Sequence, residues 1–352
     1  TNLITYSEDF SNAFWASLRL SLTSSNNVSP DGTLNASEIT LDTTNDSHTL
    51  IHSTITGVSV EVNHTISVFV KSNGNDKVAL RDSTIGNYVS VDLSNGVILD
   101  ENSISSSVDK FDNNWYRISL TFLSSSGGQI RPSLYLLQDS YTSGIPSSAY
   151  LGDGVGSVYV WGFQAEEGSY PTSYIPTAGA TVTRVAETAN GAGDASTFND
   201  SEGVLFAEIA ALEDSTSGSV RRLSLSDGTN DNRIQILFSN VVGRIGVVAK
   251  SGGLFQIDTG FLGYSTTDFN KIAIRYGDGL FEVYINGLSV FTDGGVAFSS
   301  ISLDDLSFSN PAGSELMECN ASQLQYFPSA LSNTELETLT SWTSFNEMAE
   351  AL

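Results

Sequence analysis

The sequence predicts an all-β protein: two antiparallel β-sandwich (jelly-roll) domains in tandem, with few short helices. Three observations lead there. Of the 352 residues, 40% are hydrophobic, only 16% are charged and 31 are glycine. That balance, with abundant Ser, Thr and Asn, belongs to turn-rich β proteins. Short runs of alternating apolar and polar residues recur along the chain, the period-2 pattern of half-buried strands. Gly-, Asn- and Asp-rich turns separate them, and no long stretch keeps a helical period.

In chain order, Leu3–Tyr6 reads as a first strand, followed by a polar loop anchored by Phe10, Phe14 and Trp15. Alternating runs follow at Leu18–Thr23, Ala36–Leu41, His48–Ile55, His64–Lys71, Lys77–Asp82, Tyr88–Asp92, Trp115–Leu123, Ile130–Leu137 and Gly156–Gln164. Nine short strands at this spacing predict one sandwich over residues 1–177. Residues 178–203, rich in Gly and Ala, read as a linker, with Thr181–Val185 as a short bridging strand. A second sandwich is expected over 204–340, opening on the apolar run Gly203–Ala210. It continues through Arg221–Leu225, Arg233–Phe238, Arg244–Ala249, Leu254–Asp258, Ile301–Phe308 and Glu318–Phe327. Its centre is a hairpin, Lys271–Tyr276 and Phe281–Ile285, joined through Gly277-Asp278-Gly279 and followed by an Asn286-Gly287 turn. Ile272, Ile274 and Tyr276 should face one way, Ala273 and Arg275 the other. Ser332 with Glu335 forms a capping-box pattern that predicts a short helix. Residues 341–352 are a C-terminal tail, read as a helical extension or an assembly contact.

The formal net charge is −25, from 40 acidic and 15 basic residues. Such a surface repels nucleic acid and anionic membranes, and no apolar run approaches a membrane span. Neither nucleic acid nor membrane insertion is therefore expected. Cys319 is the single cysteine, so no intrachain disulfide can form. The start at Thr1, without Met or a signal peptide, reads as a fragment or as a chain lacking its first residues.

Chemistry is sparse. A retaining glycosidase needs two carboxyl groups about 5–5.5 Å apart. The Glu-x-Asp-x-x-Glu run that concanavalin-like glucanases place on one strand is missing, so catalysis is not expected. A site with carboxylates from different strands or subunits stays open. His48 and His52 lie about 13 Å apart at strand rise, too far for one metal. With one cysteine, a thiolate site is out. Glycan binding needs rings that stack on sugar faces and polar groups that meet hydroxyls. Arg81, Tyr88 and Tyr135 alternate onto strand faces in the first domain and are the candidates there. In the second domain the polar loop Ser226–Arg233 supplies Asp227, Asn230, Asn232 and Arg233, with Phe255, Tyr264 and Tyr276 nearby. This loop reads equally as a ligand loop or as a long turn.

Two resemblances add to this reading. The segments "NLITYSEDFSNAFW", "ISVFVKSNGNDKVALR", "NNWYRISLTF" and "VYVWGFQAEEGSYPTSYIPT" resemble the jelly-roll module of bacteriophage tail and virion proteins. That module is itself similar to carbohydrate-binding modules. Trp15, Trp115 and Trp161 match positions that look like core in the jelly-roll modules this domain resembles, and most of them are expected buried. "VYINGLSVF" and the ending "YFPSALSNTEL" resemble laminin-G-like (concanavalin A-like) domains. The resemblance implies a tail-fibre or tail-tip receptor-binding protein, extracellular on the virion and usually a homotrimer. Its partners would be host cell-surface polysaccharide and other tail proteins. It also implies a structural Ca²⁺ in the first domain, for which Glu8, Asp9 and Asp42 are the candidates by position. Asp227, Asp231 and Asp258 are loop candidates in the second. Two alternatives remain: a polysaccharide-degrading tailspike or lyase, and a structural decoration protein without glycan binding.

Overall fold

A computed structural model of the chain describes residues 1–184, 192–214, 220–296 and 302–341. The chain separates into two compact units, Thr1–Val185 and Ala186–Leu352, and both are antiparallel β-sandwiches. The division falls within the stretch read as linker. Residues 185–191 and the tail from 342 lie outside the described residues. Among the described residues, no helix is long and apolar enough to cross a membrane.

Two six-stranded sheets build the first unit. One runs in the order Trp15–Leu18, His48–His52, Pro132–Leu136, Lys77–Asp82, Tyr88–Asp92, Val97–Asn102. The other runs Ser105–Phe111, Trp115–Leu123, Asn63–Asn73, Ser157–Glu167, Ala36–Leu41, Leu20–Asn27. Alternation sends Leu50, Val78, Leu80, Val89, Val91 and Leu134 of the first sheet into the core. There they meet Ile39, Ile66, Val68, Ile118, Leu120 and Val158 of the second. Each such burial contributes about 1.5–3 kcal/mol relative to exposure. Trp15, Trp115 and Trp161 are buried, as the resemblance implies.

Several boundaries differ from the sequence reading. Leu3–Tyr6 is not a strand: only Asn2 and Tyr6 pair, as isolated bridges to Val182 and Ala178. Asn2 explains why. Its fully buried side chain donates to the carbonyls of Phe163 and Ile175 and accepts from the amides of Ile4 and Ala165. The first residues are therefore laced into the Ser157–Glu167 strand by an asparagine rather than by a ladder. Phe14, expected as an anchor, is exposed and packs beside Tyr6 and His52. The strands Val97–Asn102 and Ser105–Phe111 have no counterpart in the sequence reading. Both are edge strands of largely exposed and half-buried residues, so they carry little apolar alternation.

The motif Trp161–Thr177, the most specific part of the resemblance, is a structural strap. Buried Glu166 accepts from Gln164 Nε2, from the Thr172 amide and from Thr172 Oγ1. Gln164 Oε1 accepts from the Ile175 amide, and the Tyr174 hydroxyl donates to Glu8.

The second unit pairs two five-stranded sheets. One runs Leu288–Asp293, Leu280–Ile285, Asn270–Gly277, Glu202–Ala211, Cys319–Phe327, and the other Leu254–Leu262, Arg244–Ser251, Arg233–Phe238, Arg221–Ser226, Asp305–Ser307. Ile272, Ile274 and Tyr276 enter the core between the sheets. Ala273 faces the other way, under the helix Asn333–Ser341. Asn286 and Gly287 both take positive φ, as a tight hairpin turn requires. The capping box forms: Ser332 Oγ accepts from the Glu335 amide while the Glu335 carboxylate accepts from Ser332. Of the run Ile301–Phe308, residue 301 lies outside the described residues and Asp305–Ser307 is the strand. Glu282 forms a buried ion pair with Arg275. Tyr276, expected beside a loop, is buried, with its hydroxyl on Tyr326 and the Asn199 carbonyl.

Candidate functional site

The first sheet of the first unit turns one face to the core and sets Arg81, Tyr88, Ser133 and Tyr135 on the other. Cross-strand register joins them: Arg81 pairs with Tyr88 on one side and with Ser133 on the other. The Arg81 guanidinium lies 5.7 Å from the centroid of the Tyr135 ring. Its Nε is buried without a hydrogen-bond partner, and no carboxylate among the described residues pairs with it. A buried donor left without a partner is costly.

Tyr88 is half-buried and donates its hydroxyl to Asp100 Oδ2 at 2.9 Å. Burial first, and then the Asp100 charge, push the Tyr88 phenol up to about 12. Asp100 also accepts from the Gly144 amide at 2.8 Å, and these bonds hold its carboxyl below the usual range. Tyr141 donates to the Gly144 carbonyl at 2.6 Å and ties the 138–149 loop beside the face. The sequence reading missed Asp100, Tyr141 and Gly144, because an exposed edge strand and a loop carry no periodic signal. Tyr135 corrects an expectation. Its ring is buried against Ala79, Leu137 and Tyr141, with Arg81 above it, so it supports the guanidinium rather than presenting a free stacking face.

The second unit places its predicted residues differently. Asp227 Oδ1 accepts from the amide and hydroxyl of Thr229, and its Oδ2 from Asn232 Nδ2. Asn232 Oδ1 accepts from the Gly252 amide, and Asn230 Oδ1 from Arg233. The loop thus uses its polar groups on its own shape, as a long turn does. Arg233 leaves it and lies on the sheet face, donating to Gln235 Oε1 at 3.0 Å. Tyr264 is half-buried against the core. Phe255 is 56% exposed.

The three carboxylates read as calcium ligands have separate partners. Glu8 takes Asn35 and Tyr174; Asp9 takes Ser11; Asp42 takes Thr44 and, at 3.3 Å, His48. Among the described residues, no three His, Cys, Asp or Glu side chains come together as a metal site. His48, His52 and His64 are buried singly within the sandwich.

No protein-family model and no curated protein sequence matches the chain. Solved structures do. The CBM40 of the Ruminococcus gnavus IT-sialidase bound to alpha2,3 sialyllactose is 15% identical, at a TM-score of 0.35 over 43% of this chain and 94% of that one. Sheep galectin-11 is 7% identical at a TM-score of 0.26, over 36% and 90%. The botulinum neurotoxin serotype D binding domain is 14% identical at 0.31, over 42% and 38%.

Proposed function

We propose that the protein binds a glycan without covalent chemistry, on the Arg81 face of its first unit. The observation that carries this reading is the Arg81 guanidinium, held over Tyr135 without a carboxylate partner among the described residues, beside the Tyr88–Asp100 pair. A sugar hydroxyl or ring oxygen accepts from a guanidinium, and the Asp100 carboxylate accepts from a hydroxyl. The face therefore offers both halves of saccharide recognition. The chain lacks the Glu-x-Asp-x-x-Glu run of concanavalin-like glucanases, which argues against that enzyme class alone. The sequence resemblance supports the setting: a bacteriophage tail-fibre or tail-tip protein on the virion, assembling as a homotrimer with other tail proteins. Trimers make shallow contacts multivalent.

The test is size-exclusion of the full chain incubated with bacterial surface polysaccharides, repeated with Arg81→Gln and Tyr88→Phe. The reading expects one polysaccharide to co-elute at unchanged length. Arg81→Gln should weaken binding about tenfold or more, the worth of one charge-assisted hydrogen bond. Shortening of the polysaccharide with time identifies an enzyme instead. Binding that ignores both substitutions removes this face from the account.

A further inference from the structure

Four of the 15 basic residues converge on one face of the second unit. The strands Arg221–Ser226, Arg233–Phe238 and Arg244–Ser251 bury Leu223, Leu225, Ile234, Ile236, Val247 and Ala249 in the core. Alternation sends Arg222, Arg233, Arg244 and Lys250 to the opposite face. At its centre stands Gln235, fully buried. Its Oε1 accepts from Arg222 Nη1 and from Arg233 Nε, each at 3.0 Å, and its Nε2 donates to Ser224 Oγ at 2.8 Å. A neutral amide thus holds two guanidinium groups on one oxygen.

The charge around them is incompletely balanced. Arg222 pairs with Glu315 at 2.7 Å. Arg233, Arg244 and Lys250 have no carboxylate at ion-pair distance among the described residues, although acids outnumber bases 40 to 15. The acids that act on Arg233 are Glu315, Asp231 and Asp258, three carboxylates to the four cations of this face. Like charges gathered this closely are unfavourable until an anion joins them.

One edge of the cluster is aromatic. Register places Arg233 opposite Lys250 and Lys250 opposite Phe255, so one row crosses three strands. Lys250 Nζ sits 4.1 Å from the Phe255 ring centroid, and that ring is 56% exposed. Two strand spacings, about 10 Å, separate Arg233 from Phe255, the reach of a disaccharide. Asp258 lies one row further along the same face, in register with Val248, and supplies an acceptor for hydroxyls.

We infer that this face is a second binding site, for a short carboxylated saccharide. With Nε and Nη1 of Arg222 and Arg233 donating to Glu315, Gln235 and Asn230, the carboxylate accepts from their Nη2 groups and from Lys250. The neighbouring sugar ring stacks on Phe255. Asp258 and the net charge of −25 oppose a continuous polyanion such as nucleic acid. The inference rests on the glycan reading only for the sugar. The carboxylate recognition is argued from the second unit alone.

Titration calorimetry of the full chain tests it, with trigalacturonate, the trimethyl ester of trigalacturonate, a hyaluronan hexasaccharide and hexathymidylate as probes. At least one acidic saccharide is expected to bind, and esterification of trigalacturonate to weaken it at least tenfold where that is the ligand. Phe255→Ala and Lys250→Gln change half-buried or exposed side chains that the fold does not need. Each should weaken the acidic saccharide about tenfold. Arg81→Gln should leave it unchanged, which separates this site from that of the first unit. The inference is overturned if neither acidic saccharide binds at millimolar concentration, if the ester binds as well as the acid, or if hexathymidylate binds more tightly. Binding indifferent to both Phe255→Ala and Lys250→Gln overturns it too.

Discussion

Replacing Glu282 with Gln should loosen the helix Asn333–Ser341 before anything else in the second unit. Arg275 and Glu282 are cross-strand partners, 8% and 6% exposed, and they form a buried ion pair. The same guanidinium donates to Asn333 Oδ1 at 2.6 Å and to the Leu331 carbonyl. One arginine therefore joins the sheet to the start of the helix. Glu282→Gln keeps the shape and removes the charge, leaving a buried cation with neutral partners. Breaking a buried pair from one side costs about 3–5 kcal/mol. For a unit of this size, 1 kcal/mol moves the melting temperature by about 2–4 °C, so a fall of roughly 6–20 °C is expected in its transition. The double variant Arg275→Met with Glu282→Leu removes both charges and should recover part of the loss. Calorimetry reads the transition, and amide hydrogen exchange reads the helix. Unchanged exchange in the helix of Glu282→Gln, with an unmoved transition, would refute this reasoning.

Four further outcomes are expected. Asn2→Ala removes four buried hydrogen bonds and should cost the first unit about 2–5 kcal/mol, read by urea unfolding; a loss below about 1 kcal/mol counts against the lacing role. Burial holds His52 below its ordinary value, with its hydrogen bond to the Ser53 carbonyl opposing. The unfolded chain therefore takes up the proton first, and this contribution to stability, full above about pH 6.5, is lost as pH falls toward the folded value. His52→Gln should flatten the dependence of stability on pH between roughly 7.5 and 5.5. Burial pushes the Cys319 thiol up to about 11, Arg221 opposing, so an aromatic disulfide reagent at about pH 8 should react slowly until urea unfolds the chain. If the structural Ca²⁺ that the resemblance implies is bound, EDTA should lower the melting temperature of the first unit by several degrees; an unchanged melting temperature removes calcium, and with it the ligand role of Glu8, Asp9 and Asp42.

Much of the fold was legible because burial writes itself into the sequence at period 2. Val78-Ala79-Leu80-Arg81 and Ile272-Ala273-Ile274-Arg275 declare their core faces residue by residue, and the structure agrees. Turn chemistry was legible for the same reason: Asn286-Gly287 names the positive φ it must adopt. The edge strands Val97–Asn102 and Ser105–Phe111 were not, since an edge exposed on one side has little to alternate. The binding faces were only half legible. Arg81, Tyr88 and Arg233 could be placed on strand faces by alternation. What lies beside them depends on register and on loops distant in sequence. Asp100 and Gly144 reach the first face, and Gln235 and Phe255 flank Arg233 in the second. Hydrogen-bond satisfaction was the least visible. The loop Asp227–Asn232 reads from sequence equally as a ligand loop or a long turn, and its members bind one another.

The bridges Asn2–Val182 and Tyr6–Ala178 put the two ends of the first unit side by side, with Thr1 Oγ1 2.6 Å from Thr183 Oγ1. A domain whose entry and exit coincide can be spliced into a loop of another protein, or circularly permuted, without crossing its core. Tension applied between those ends meets the two bridges one after the other. It unzips them instead of shearing whole ladders, so under load this unit would give first at its doorway while the sheets behind it stay intact.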